Sequence, residues 1–178
     1  PEERLQCSII IYSLAKKEIW SFGDCMLRIN EREFYNIKEG DRLFAALRAF
    51  CIQIEKDKRG ANINELELSE YGRECILPYL KQYVTLANQN VPFGYDVIDG
   101  GNINVNHIKI YAVQKNDCVV MATDGYPRLF ASIEETEDYL QKALKTDPMC
   151  IDILRSTKGI SQGNVSFDDR TYVSFKVI

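Results

Sequence analysis

Apolar positions along this chain fall into short runs whose spacing changes between the two ends. Residues 7–14, 18–22 and 25–29 are rich in Ile and aromatics, with Ala15-Lys16-Lys17 and Gly23-Asp24 between them. Branched and aromatic side chains interrupted by turn residues predict strands in an antiparallel meander. From 38 to 56 the spacing becomes helical, with Leu43, Leu47, Phe50, Cys51 and Ile54 on one face and charges from Glu55 to Lys58 at a solvated end. That face is expected to pack on a sheet. Residues 69–88 read as helix again, with Cys75, Ile76, Tyr79, Leu80, Tyr83, Val84 and Ala87 on a common side. Pro78 has no N–H to donate and crowds the preceding turn, so a kink or a split is expected there.

Turn chemistry at Val91-Pro92-Phe93-Gly94 and Asp99-Gly100-Gly101-Asn102 precedes two more strands, 108–113 and 118–123, with Lys115-Asn116-Asp117 as a hairpin turn. Ser132, with Glu135 three residues on, forms a capping box for a helix carrying Ile133, Tyr139, Leu140, Ala143 and Leu144, which stops at Asp147-Pro148. A short helical piece, 150–155, and a polar loop, 156–164, lead to a last strand in which Val173, Phe175 and Val177 share one face. Strands, helices, strands, helix, strand, without regular β-α-β alternation, predict an α+β sandwich rather than a doubly wound sheet.

The 178 residues, 46% hydrophobic and 27% charged, suffice for one domain with its own core. A net charge of -4, with Lys and Arg scattered among acids, argues against nucleic-acid binding. No apolar run approaches the ~18 residues of a membrane span, and Pro1-Glu2-Glu3-Arg4 does not read as a signal peptide, so no membrane association is expected. None of the six cysteines forms a C-x-x-C pair. They read as buried small hydrophobes in a reducing, cytoplasmic setting.

The sharpest chemical signal is the apolar run 119–123, which ends in Asp124-Gly125. Such a run reads as a strand buried on both faces that delivers a carboxylate to its own end. That carboxylate caps a turn, pairs with a cation or holds a metal, because burying it alone costs several kcal/mol. Ser166-Phe167-Asp168-Asp169-Arg170-Thr171 tips the final strand in the same way, and two carboxylate-tipped strands suggest one shared site. Simpler readings stand beside this one. Asp124-Gly125 is a common turn pair, and Asp168-Asp169 can cap a loop and pair with Arg170 or Lys158. His107 reads as a surface or edge residue, Trp20 and the tyrosines as core and interface.

Three pieces together resemble the metal-dependent serine/threonine protein phosphatases of the type 2C, or PPM, group. Ile19-Trp20-Ser21-Phe22-Gly23-Asp24-Cys25 is similar to that family's strand and Gly-Asp-Ser turn. Val119 to Gly125 is similar to its apolar strand ending in Asp-Gly, and Ser166 to Thr171 to its closing Asp-Asn-x-Thr or Asp-Asp-x-Thr motif. The resemblance implies a four-layer α-β-β-α sandwich with mostly antiparallel sheets, Mn²⁺ or Mg²⁺ at one edge, and a phosphoserine or phosphothreonine protein as substrate. It implies metal binding by Asp124 and Asp168, with Asp169 in the neighbouring Asn or Asp position and Asp24 as a structural turn residue.

The family also carries an early acidic strand and an Asp-Gly-x-Gly-Gly motif that should precede Cys7, where only six residues lie. Residues 1–178 are therefore expected to form one phosphatase-like domain lacking the first strands and that motif: a fragment, a chain completed by a second chain or an upstream segment, or a divergent relative inactive on its own. Two alternatives remain. One is an N-terminal-nucleophile hydrolase acting through Cys7, which requires removal of the six preceding residues to free the α-amine. The other is a non-catalytic regulatory or binding module on the same sandwich, serving a protein partner.

Overall fold

The computed structural model of the protein describes residues 5–60 and 64–178, and among these described residues there are seven strands and three α-helices. Pro1-Glu2-Glu3-Arg4, which does not read as a signal peptide, lies outside the described residues. The strands are β1 (Ile9–Ser13), β2 (Glu18–Phe22), β3 (Met26–Ile29), β4 (Arg32–Phe34), β5 (Lys109–Ala112), β6 (Cys118–Ala122) and β7 (Tyr172–Lys176). The helices are α1 (Glu39–Arg59), α2 (Glu65–Tyr83) and α3 (Ile133–Thr146). The strands form two antiparallel sheets, one in the order β1-β2-β5 and one in the order β4-β3-β6-β7.

The expected meander is replaced by a crossing between sheets. β1 and β2 do form a hairpin, but β2 and β3 belong to different sheets, and the chain changes sheet at Gly23-Asp24. Gly23 has φ 89°, and a Cβ there would lie 2.1 Å from Ser8 Oγ, so the corner requires glycine. Lys115-Asn116-Asp117 is likewise a corner and not a hairpin turn, because β5 and β6 lie in different sheets. The periodicity marks which residues are buried without naming the strand they are buried against. The short β4 escapes the pattern because its three residues, Arg-Glu-Phe, lack an apolar alternation.

Ile19, Leu27, Val119 and Val177 form one core with Tyr12, Tyr111 and Phe175 from both sheets, so the sheets face each other across it. Met26, Val120 and Ala122 point the opposite way and pack with Leu140, Ala143 and Leu144 of α3. β6 is thus buried on both faces, which explains its unbroken apolar run. Ser132 Oγ accepts from Glu135 N at 3.1 Å and caps α3 as the sequence predicts.

Helices α1 and α2 pack on each other, but α1 does so with an unexpected face. Leu43 and Phe50 are 53% and 62% exposed, whereas Ala45, Arg48 and Ile52 are buried. Arg48 tolerates full burial because its guanidinium donates to the carbonyl of Met149 at 2.7 Å, to that of Ser156 at 3.3 Å and to Ser69 Oγ at 2.6 Å. Helix α2 continues unbroken through Pro78. The piece 150–155 is not helical. Instead the Asp147 carboxylate accepts from the N–H groups of Ile151, Asp152, Ile153 and Leu154, a side-chain alternative to helical bonding. Cys25 and Cys150 are buried as expected, but Cys51 and Cys75 are only half-buried, and Cys7, ahead of β1, and Cys118, at the start of β6, are exposed. Among the described residues no helix is long and apolar enough to cross a membrane.

Candidate functional site

The two acidic strand ends meet because β6 and β7 are neighbours, in register from Cys118↔Lys176 to Ala122↔Tyr172. Two bonds carry the pairing further: Thr123 N donates to Thr171 O at 3.2 Å, and Thr171 N to Thr123 Oγ1 at 3.0 Å. Beyond them Gly125 lies against the closing motif, where an added Cβ would come within 2.3 Å of the Asp169 carbonyl oxygen. Glycine follows Asp124 for that reason.

Asp124 and Asp168 line one cleft of about 390 Å³. Asp24 enters it from the β2–β3 corner, and Lys38 and Asp41 enter it from the start of α1. Residues 153–157 form part of the wall, and they belong to the loop that Asp147 and Arg48 hold.

The carboxylates differ in state. Asp24 pairs with Lys38 Nζ at 2.6 Å and accepts from the Ser8 hydroxyl. Burial pushes its carboxyl upward, but Lys38 and Ser8 overcome that and hold it below the ordinary Asp value. Asp124 is raised instead: the protein crowding its base disfavours the charge, and Asp24 and Asp168 repel it, with Lys38 only partly compensating. Its side chain still reaches solvent at the cleft mouth. Asp41 is raised too, first by burial and then by Asp24, against the pull of Lys38 and Arg73. Asp168 accepts from Lys158 Nζ at 2.6 Å, the simpler pairing the sequence allowed.

Asp124 and Asp168 thus border the same cleft. Asp169 is exposed and does not line that cleft; it borders a neighbouring groove together with Asp168, Arg170 and Lys158, and its N–H donates to Asp168 Oδ1 at 2.9 Å. Among the described residues no group of three or more His, Cys, Asp or Glu side chains is close enough together to hold an ion. Asp124 and Asp168 are hard oxygen donors of the type Mn²⁺ or Mg²⁺ prefers, but two carboxylates fill only part of the six or so positions such an ion takes.

Sequence reasoning read Asp24 as a mainly structural turn residue and overlooked Lys38 and Asp41. A Lys and an Asp around a helix start look like ordinary solvated charges, and only the crossing at Gly23-Asp24 brings that helix end to the cleft. His107 stays on the surface, its Nδ1 2.8 Å from Asp96 Oδ1, away from the cleft lining. Comparison of the chain with protein-family models, with curated proteins and with solved structures yields no match.

Proposed function

We propose that this chain is a phosphatase-like unit related to the four-layer α-β-β-α sandwich, with α3 covering the outer face of the four-stranded sheet and the α1–α2 pair packed against the 149–151 loop. Its cleft is directed at phosphoserine or phosphothreonine, and Asp124 and Asp168 are the residues that would hold Mn²⁺ or Mg²⁺ there. The observation that carries the reading is the meeting of those two aspartates, from motifs far apart in sequence, at the ends of neighbouring strands β6 and β7. A divalent cation, when bound, stabilises charge developing on the phosphoryl oxygens. The chain's own contribution is to orient two acceptors from adjacent strands and to wall the cleft with residues 153–157. With only part of a donor shell it binds the cation weakly and turns over phosphoesters poorly by itself; further ligands would come from a second chain or an upstream segment.

The test is a thermal melt with and without excess Mn²⁺. A weak cation at ten times its Kd adds about 1.4 kcal/mol, a rise of a few degrees for a chain of this size. Asp124→Asn and Asp168→Asn should each remove that rise. Asp124→Asn should also leave the metal-free fold unchanged or slightly more stable, by up to about 0.5 kcal/mol, since it removes a carboxylate that its neighbours repel. A metal response that survives both substitutions would make these aspartates structural, and the phosphatase-like reading would fall.

A further inference from the structure

Helix α1 is apolar on two opposite faces. Its inner face sets Ile52 against Leu68 of α2 and against Met149 and Ile151. Down the outer face run Leu43, Leu47, Phe50 and Ile54, with Leu43 53%, Phe50 62% and Ile54 37% exposed and Leu47 half-buried. A surface helix needs one apolar stripe, and a helix that is apolar on both sides is one that is covered on both. Helix propensity does not account for the outer stripe, since Phe and Ile are poorer helix formers than the Lys, Glu or Gln an exposed face admits. Single exposed apolar residues are ordinary; four in line on one helix are not.

The stripe also reads alike in both directions. With the charges at its ends it runs Glu39, Leu43, Leu47, Phe50, Ile54 and Lys58, at spacings of 4, 4, 3, 4 and 4 residues. Steps of three and four keep all six on one face and leave gaps that the side chains of a second helix can enter. A two-fold axis through the middle of the stripe lays another α1 antiparallel on the first, and sets Leu43 against Ile54, Leu47 against Phe50 and Glu39 against Lys58. The charges fit that alignment, with Glu39 54% and Lys58 66% exposed, and antiparallel helices also bring opposite dipole ends together. A parallel pair would instead oppose Glu39 to Glu39 and Lys58 to Lys58. Within one copy Glu39 is 2.5 Å from Arg42 and Lys58 is 3.9 Å from Glu55, exposed pairs that cost little to rearrange.

We propose that the outer face of α1 is a self-complementary docking surface on which a second copy of this chain binds, α1 antiparallel to α1, as a reversible homodimer. From Glu39 to Lys58 the stripe spans roughly 30 Å, and at a helix width of about 10 Å it offers on the order of 300 Å² per copy. That is well under the ~800 Å² per partner of a stable interface, so the dimer is of the transient class, with a Kd of tens of micromolar or weaker.

Sedimentation equilibrium between about 1 and about 500 μM should show monomer passing into dimer with no larger species, because a two-fold pairing closes on itself. Leu43→Lys and Phe50→Lys, at exposed positions, should each weaken association at least about tenfold while the melting temperature of the dilute chain holds. Glu39→Lys should weaken it too, and Glu39→Lys/Lys58→Glu should restore it, since the exchange only reverses the end pairs. Ile110→Lys, on the open face of the three-stranded sheet, should leave association as in wild type. A chain that stays monomeric over the whole range would overturn the proposal and leave the stripe to a different partner. A dimer broken by Ile110→Lys and not by Phe50→Lys would overturn it as well. So would a dimer that Glu39→Lys weakens and the charge exchange fails to restore, because the antiparallel alignment would then be wrong.

Discussion

Asp147 and Arg48 carry opposite charges into the interior, and neither has the other as its main partner. Asp147 is 5% exposed and is satisfied by backbone N–H groups, Arg48 is fully buried and is satisfied mostly by backbone carbonyls, and between them they fix the loop 147–157 that walls the cleft. Burial disfavours both charges. It brings the Arg48 guanidinium down to about 10, whereas for Asp147 the converging N–H groups outweigh it and hold the carboxyl below its ordinary value. The unfolded carboxyl titrates near about 3.9. Asp147 therefore stabilises the fold fully above that value, and the contribution is lost as pH falls through the lower folded-state value. Asp147→Asn should cost about 1.5–3 kcal/mol at pH 7, the range for hydrogen bonds to a charged group, and much less at pH 2. Urea midpoints of both chains at the two pH values measure this; an equal loss at pH 2 would mean that shape and not charge holds the loop. None of it was legible in the sequence, where Asp147-Pro148 reads as a helix stop and Arg48 carries no signal of its own.

At the scale of elements, the β6–β7 ladder is the feature on which the cleft depends. Gly125→Ala puts a methyl group against the Asp169 carbonyl oxygen, backbone that cannot rotate away, so the closing motif must shift from the strand end. A loss of about 1–3 kcal/mol in chemical unfolding is expected, with loss of any Mn²⁺-induced rise in melting temperature even though Asp124 and Asp168 are intact. Retention of the metal response would show that the two aspartates need no such close approach. The strand β6 and its acidic end could be read from the sequence because both of its faces are buried, which leaves an unbroken apolar run. The helix α3 could be read because its cap is local, Ser132 to Glu135. The buried face of α1 could not, since Leu43, Leu47, Phe50 and Ile54 make a regular stripe and the face that packs is chosen by α2 and the 149–151 loop, elements distant in sequence.

Over the whole molecule, pattern and order were enough for an α+β chain with two antiparallel sheets, while the pairing of strands far apart in the chain was not, because hydrophobic alternation records burial and not partner. Among the described residues one face of the three-stranded sheet is left open: Ile11, Trp20 and Ile110 stand in one cross-strand row, with Ile11 42% and Ile110 60% exposed. The other face carries the larger consequence. The chain crosses from one sheet to the other between β2 and β3 and again between β5 and β6, and β3 finds its partner β6 only after the intervening helices. Neither sheet can be completed as a local unit, so closure of the long intervening loop has to precede most of the stabilising contacts, which makes for slow, concerted folding. Native-state hydrogen exchange should register this as one cooperative opening: the amides of Ile19 in the first sheet and Val119 in the second should exchange with the same free energy and the same dependence on denaturant. If the three-stranded sheet released its protons at distinctly lower free energy, the two sheets would be separate folding units despite the crossings that stitch them.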